Sequence, residues 1–316
     1  MDLNRTYEYI SEILEKGSIS QAANALFISQ PSLSQFIKRI ETELSIEIFY
    51  KKKHPIQLSE AGQIYYDSLK RMYMIYENTQ KHIQEMSDLQ TGSVTIGALN
   101  YHSISILTNV LATFKKINPY VNVNILEGSL AELDRYLNNG EIDIAVTILP
   151  ISNPNISYVR LYEEEILLAM NKDHPLTRQL YTYNLSTIET TYPEIDIHLL
   201  QKEPFIILKR GKRLRSSFNE LSQKISTTPP IVLETNDVTN ALVLAASGLG
   251  ITLLPDTLIE TLKNNFSISI FRPSESLTQR KIVAAYNHDF PLTFSAKAIL
   301  DLLEDYAKTR LMKKPR

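Results

Sequence analysis

The chain has 316 residues, 43% of them hydrophobic, and a formal net charge of −2. The length implies two or three domains, and the apolar fraction is enough for real cores. There is no cysteine, which excludes disulfides, cysteine-ligated zinc, thiol catalysis and thiol redox sensing. Charge balances within residues 1–58 as well, so any nucleic-acid argument has to rest on where the basic residues sit. The start, Met1-Asp2-Leu3-Asn4, is not a charged-then-apolar leader, and no run approaches the roughly 18 apolar residues of a membrane span. The expectation is a cytoplasmic protein with no membrane partner. No internal repeat or low-complexity tract is visible.

A first helix is expected over 3–16, with Leu3, Tyr7, Ile10, Ile13 and Leu14 inward and Gly17 at its end. A second should run over 19–26, with Ile19, Ala22, Ala23 and Leu26 on one face. Ser18 and Gln21 have the spacing of a capping box. After the turn Phe27-Ile28-Ser29, Ser29 can cap a third helix, with Pro31 in its first turn. Leu33, Phe36, Ile37, Ile40 and Leu44 make its inward stripe. Gln30, Ser32, Ser34, Gln35, Lys38 and Thr42 stay outward. Short polar hydrogen-bonders with one lysine suit a helix whose first turns meet base edges and phosphates in a major groove. Ser29, Gln30, Pro31, Ser32, Ser34, Gln35 and Lys38 are therefore DNA-binding candidates. Strand-like pieces at 47–50 and 56–58 flank Lys51, Lys52 and Lys53, forming a wing whose lysines can meet phosphates. The plainer alternative is a helical hairpin with a solvated polar face and a solvated lysine turn.

From Ser59 to about Leu89 the chain reads as one long helix. Tyr65, Leu69, Met72, Tyr76, Thr79, Ile83 and Met86 alternate steps of four and three, the seam of a coiled coil. Such a helix needs a partner. A second copy, giving a homodimer, is the simplest; docking on its own domain is the alternative. Gly62, inside the first turns, points to close packing there. Thr91-Gly92 reads as a hinge. Beyond it, strands expected near 93–98, 121–126, 142–146, 165–170, 205–208, 231–234, 251–254 and 281–286 alternate with helices near 104–116, 130–138, 214–224, 238–246 and 293–307. That pattern implies a mainly parallel, three-layer α/β arrangement.

Residues 1–62 resemble the DNA-binding end of LysR-type transcriptional regulators. The carrying motifs are Gly17-Ser18 before Ala22-Ala23, Ser29-Gln30-Pro31-Ser32-Leu33-Ser34, Ile40-Glu41 with Glu43-Leu44, Phe49, and Leu58-Ser59-Glu60-Ala61-Gly62. Two positions depart: Ser45 stands where the family usually has glycine, and Lys51 where it usually has arginine. Lysine keeps the charge but loses the planar fork. The remainder resembles the family's effector domain in Val94-Thr95-Ile96-Gly97, Leu126-Glu127-Gly128, Gly140-Glu141-Ile142-Asp143-Ile144-Ala145, His174-Pro175-Leu176, Glu203-Pro204-Phe205-Ile206, and Ala246 through Pro255. The implied architecture is an α plus α/β multidomain protein. A winged helix-turn-helix (1–58) leads through a linker and dimerisation helix (59–91) to a two-lobe, periplasmic-binding-protein-like effector domain (92–316). Lobe I would take about 92–162 and 267–316, and lobe II about 163–266. The resemblance also implies a homotetramer and a small-molecule inducer, and leaves RNA polymerase open as a further partner. Thr177–Lys202 is longer than the family usually carries.

The inducer is expected between the lobes. Asn100, His102 and Ser103 follow the first strand, Gly128 and Ser129 the second, and Thr147 closes the third. These match where family members place inducer contacts, although Ser103 and Ser129 would serve equally as ordinary caps. Lys209 through Arg215 is a basic run after the strand at 205–208. It reads either as a solvated face or as a clamp, through Arg210 and Arg213, for an anionic inducer. Asn236 lies at another helix start near the cleft. The other histidines are scattered without metal-ligand spacing, so neither metal nor cofactor is expected. Two rival classes stand beside a regulator. A solute-binding transport protein would leave the N-terminal third idle. An enzyme would need nucleophile, metal or phosphate-loop motifs, which the sequence lacks.

Overall fold

Residues 3–16 begin the first of three helices that pack round one small core. These are α1 (Leu3–Lys16), α2 (Ile19–Ala25) and α3 (Gln30–Leu44). The computed structural model describes residues 2–50, 53–87, 92–183, 192–210 and 213–313. Ile10, Ile13, Ala22, Ala23, Leu33, Ile37, Ile40 and Ile48 are buried together. Asp2 accepts the Arg5 N–H at 3.2 Å to cap α1, and Gly17 closes it with φ +64°. Ser29 accepts the Ser32 N–H at 3.3 Å, so α3 starts as expected. Ser18 has N-cap backbone geometry but makes no side-chain cap bond, so the expected capping box does not form. Leu44 is exposed instead of inward, because α3 has run past the core by then. The wing is shorter than expected. Phe49 and Leu58 share a single antiparallel bridge, and the Tyr50 N–H donates to Gln57 O at 3.0 Å.

The long helix α4 (Glu60–Ser87) starts on Ser59, whose hydroxyl oxygen accepts the Gly62 N–H at 2.9 Å. A Cβ on Gly62 would overlap the carbonyl of Ile48, so only glycine permits this approach. The first half of α4 packs on α1. Tyr7 stacks on Tyr66 and Tyr73 with ring centroids 5.8 and 4.4 Å apart. Further along, Lys70 pairs with Glu141 at 2.9 Å, and His82 lies 5.4 Å from the Phe294 ring.

Lobe I holds β1 (Ser93–Ala98), β2 (Asn122–Glu127), β3 (Ile144–Ile148), β4 (Ile156–Glu164) and, returning from lobe II, β11 (Arg280–Asn287). The order is β2-β1-β3-β11-β4. β1 is parallel to β2 and β3, whereas β11 is antiparallel to both its neighbours. Between β1 and β2 run α5 (Asn100–His102), a π-helical turn (Ser103–Leu107) and α6 (Thr108–Ile117). Phe114 of α6 and Ile299 and Leu303 of α12 (Phe294–Lys313) share a core over one sheet face. Leu133 and Leu137 of α7 (Leu130–Asn139) cover the other.

Lobe II contains β5 (Ile166–Asn171), α8 (Pro175–Tyr183), β6 (Glu194–Ile195), β7 (Phe205–Leu208), α9 (Arg213–Lys224), β8 (Ile231–Thr235), α10 (Val238–Ala246), β9 (Thr252–Pro255), α11 (Asp256–Leu262) and β10 (Ile268–Pro273). One sheet runs β6-β10-β5-β9, and β7-β8 adjoins it through a Phe205–Ile251 bridge. Both lobes are thus mixed sheets, not mainly parallel ones. β10 lies in lobe II, so the expected boundary at 267 falls too early; the chain returns to lobe I only at β11. The expected elements missed β4, β6, β10, α8 and α11. The first extra helix begins at Asn100, not Ile104, which places Ser103 inside a helical run and not at its cap. Part of the unusually long 177–202 stretch is structural. Ile195, Ile197 and Leu200 are buried in the lobe II core, and β6 adds an edge strand to β10. The segment 184–191 lies outside the described residues.

Candidate functional site

Two surfaces stand out. On the N-terminal helical domain, Ser29, Gln30, Pro31, Ser32, Gln35 and Lys38 are exposed and Ser34 is half-buried, while Leu33, Ile37 and Ile40 hold α3 from behind. Phe27, in the turn before α3, is 96% exposed at φ +55°. It was not among the expected contacts. An aromatic ring that exposed, on a left-handed residue, is the structural feature that marks it. Lys53 sits over the Tyr50 ring at 4.4 Å, a cation–π pair that holds the wing's base. Lys51 and Lys52 lie outside the described residues.

The second surface is the cleft between the lobes, a cavity of about 620 Å³. Ile148, Leu149 and Pro150 line it from the end of β3, Ser217 and Glu220 from α9, and Arg280 from the start of β11. The C-terminal ends of β1, β2 and β3 stand side by side, since Ala98 registers with both Glu127 and Val146. Ligands in open α/β sheets bind at such carboxyl ends.

Residues 87–308 match the LysR substrate binding domain family, and residues 5–63 match the bacterial regulatory helix-turn-helix protein, lysR family. The chain belongs to the LysR family of transcriptional regulators. Among its relatives, the uncharacterized HTH-type transcriptional regulator YcgK of Bacillus subtilis is 26% identical over 313 residues, covering 98% of this chain and 95% of its own. YybE of the same organism, described likewise, is 28% identical over 251 residues, 79% of this chain and 81% of its own. A full-length OxyR from Pseudomonas aeruginosa has the same fold, with TM-score 0.70, 22% identity, and 96% and 94% of the two chains covered. CbnR complexed with its target DNA gives 0.68, 17%, 98% and 99%. The helix-turn-helix match removes the transport-protein alternative, which assigned the N-terminal third no role.

The LysR-type effector domain distributes the expected contact residues unevenly. None of them lines the 620 Å³ cavity. Asn100 is exposed, and Ser103 keeps a buried hydroxyl with no hydrogen-bond partner among the described residues. Ser129 is committed to a capping box: its hydroxyl donates to Glu132 at 2.7 Å, and its oxygen accepts the Glu132 N–H at 3.4 Å. Gly128 precedes it, with its N–H on Ala98 O at 3.2 Å. Thr147 is buried inside β3, one residue short of the strand end. His102 is a core residue, not a contact. It is fully buried, its Nδ1 lies 3.4 Å from Val146 O, and burial pushes its pKa down to about 3, so it stays neutral.

The basic run divides. Arg215 donates to Glu234 at 2.5 Å and to Leu208 O at 3.3 Å, and Arg210 is exposed. Asn236 is exposed beside Asp237, which caps α10 by accepting the Thr239 and Asn240 N–H groups. Reasoning from sequence passed over Arg280, the buried cation of the cleft.

Behind the cleft lies a buried network joining the lobes. Glu164, at the end of β4, accepts the Tyr101 hydroxyl at 3.0 Å and the Thr257 hydroxyl of α11. Burial lifts the Glu164 pKa to about 7, although Arg280 opposes the rise. Nearby, Arg310 pairs with Asp256 at 3.0 Å and with Glu260, and stacks over the Tyr162 ring at 5.0 Å.

On α4 the expected seam splits. Leu69 is fully buried in the DNA-binding core, and Tyr65 packs against that core. Met72, Tyr76, Thr79 and Ile83 are exposed, together with Ile75 and Ile64. The physical reason is that α1 covers only the first turns of α4. Met86 lies on the same helix.

Proposed function

We propose that this LysR-type regulator reads DNA with the N-terminal turns of α3, pairs through the exposed stripe of α4, and answers to a small molecule held between its lobes. The observation that carries the reading is the two-sidedness of α3. Leu33, Ile37 and Ile40 are spent on the domain core, and the outward side of its first turns is a row of short hydrogen-bonding side chains leading to Lys38 and Arg39. Such a row suits base edges and phosphates. Gln30 and Gln35 are assigned to base edges, Lys38 and the wing lysines to phosphates, and Phe27 to the sugar-phosphate wall beside them.

Pairing through α4 would present two such helices to two half-sites. A ligand that favours one lobe spacing over another would shift the assembly, a homotetramer in this reading, between arrangements with different DNA bends.

The test is a band-shift titration against DNA upstream of the protein's own gene, at two salt concentrations. Lys38→Ala should weaken binding to specific and random DNA alike and flatten the salt slope by about one unit. Gln35→Ala should weaken only specific binding. Folded protein that binds no DNA, or binds it without dependence on either residue, would sink the assignment.

A further inference from the structure

We infer that the cleft takes a small monocarboxylate, gripped by Arg280. The inference rests on the reading of the cleft as the effector site and names the ligand's chemical class. Arg280 is 8% exposed and lines the cavity. A guanidinium that buried is almost always paired, yet Arg280 makes no ion pair among the described residues. It shares a hydrogen bond with the Tyr101 hydroxyl, and its contact inside the cleft is a long one, Nη2 to Ser217 Oγ at 3.4 Å. Ser217 belongs to α9 of lobe II, so this weak contact spans the two lobes.

The nearest carboxylate is already engaged. Glu164 faces Arg280 across the β4–β11 pairing, but its two oxygens accept the hydroxyls of Tyr101 and Thr257. The cleft therefore offers a buried fork of N–H donors whose cross-strand carboxylate, although it feels the Arg280 charge, is bonded to two hydroxyls. A carboxylate entering between Arg280 and Ser217 would replace one 3.4 Å contact with two charge-assisted bonds.

Charge and shape narrow the class. The cavity is lined by two cations, Arg280 and exposed Lys281, and one carboxylate, Glu220. Glu220 accepts the Thr278 N–H with both oxygens, at 3.1 and 3.0 Å, which fixes it at the rim. One surplus positive charge matches a monoanion. A dianionic phosphate ester would set its second charge against Glu220. Ile148, Leu149 and Pro150 form an apolar wall suited to a ring or short hydrocarbon body.

The experiment uses the full chain and matched ligand sets on shared skeletons: benzoate, benzamide and phenyl phosphate, and the cyclohexane and cyclohexene acids with their amides. Thermal melts screen the sets, titration calorimetry gives affinities, and band shifts on the operator report the response. At least one acid should raise Tm more than its amide and its phosphate ester. Arg280→Gln should weaken that acid by about tenfold or more. Arg280→Lys, which keeps the buried charge and guards against simple misfolding, should weaken it less. Arg210→Gln, outside the cavity lining, should leave affinity within about twofold. The proposal falls if an amide or phosphate ester binds as tightly as its acid, if both Arg280 variants keep full affinity while folded, or if no acid binds. Neutral ligands that bind and alter the band shift would overturn the carboxylate while leaving the effector reading intact. A panel in which nothing binds or alters DNA affinity would remove both.

Discussion

Two helices of the DNA-binding end finish on one hydrogen-bond pattern without the residue that suits it. After α2, the Phe27 N–H reaches Asn24 O at 3.2 Å and the Ile28 N–H reaches Ala23 O at 3.0 Å. After α3, the Ser45 N–H reaches Thr42 O at 3.3 Å and the Ile46 N–H reaches Glu41 O at 3.1 Å. Both are Schellman closures, which put the residue beyond the helix in the left-handed region. Phe27 and Ser45 each have φ +55°. Holding an L-residue there costs about 1–2 kcal/mol. Glycine removes that strain but loses about 0.4–1 kcal/mol more chain entropy on folding. Ser45→Gly should therefore stabilise by about 0.5–1 kcal/mol, or about 2–8 °C if the DNA-binding end melts as a unit. Ser45→Ala should give no such gain, because it keeps the Cβ. Phe27→Gly should stabilise similarly yet weaken operator binding, given the proposed place of its exposed ring against the sugar-phosphate wall. Gly17→Ala should do the reverse of Ser45→Gly. It adds a Cβ at φ +64°, only 2.8 Å from the Pro55 Cβ. Calorimetric melts and band shifts of the variants decide the matter. Ser45→Gly melting no higher than Ser45→Ala would refute the strain argument.

Along α4 the two halves should separate by assay. Leu69→Ala removes a fully buried side chain and should cost about 2–5 kcal/mol of stability. Tyr76→Glu with Ile83→Glu should leave the melt nearly unchanged and turn the dimer into a monomer by sedimentation velocity; a dimer that survives both changes would reassign the stripe. The buried network predicts opposed pH effects. Glu164 is raised from 4.5 to about 7, so its stabilising contribution is complete below pH 4.5 and is lost as pH rises to about 7. His102 is lowered from 6.5 to about 3, so its contribution is complete above pH 6.5 and is lost as pH falls toward 3. Glu164→Gln should then make Tm climb more steeply than wild type between pH 4.5 and 7. Identical Tm profiles for the two proteins would show that Glu164 does not titrate in that window.

Local patterns were the legible part of this chain. Leu33, Ile37 and Ile40 at helical spacing are buried, Gly17 closes α1 in the left-handed region, and all five residues of β3, apolar but for Thr147, are buried. β4 was not legible, because its second half carries Arg160, Glu163 and Glu164, residues that strands generally avoid. What makes Glu164 tolerable there is supplied from afar, by Tyr101 and Thr257. Lobe II's β10 failed for a related reason. It ends in Arg272-Pro273, and Arg272 is accommodated by Glu165 at 3.1 Å. The α4 seam was right as a period and wrong as a partner for its first members, because periodicity identifies a face without saying what covers it.

Two arginines carry the same lesson into function. Arg215 sits in a dense basic run and invites an anion-binding reading, yet its Nη1 is bonded to Glu234 and Leu208 O. Arg280 sits beside Lys281 and Gln279 and reads as an ordinary solvated strand end. Its burial comes from a register that sets it across from Glu164, 116 positions earlier in the chain by their numbering. Among the described residues it makes no ion pair, and the Glu164 oxygens across from it accept the Tyr101 and Thr257 hydroxyls. A charge becomes a binding group when the fold strips it of water and then withholds its counter-ion. Neither condition is local. That is why the density of charge along the chain favoured Arg210 and Arg213, while the cleft itself favours Arg280.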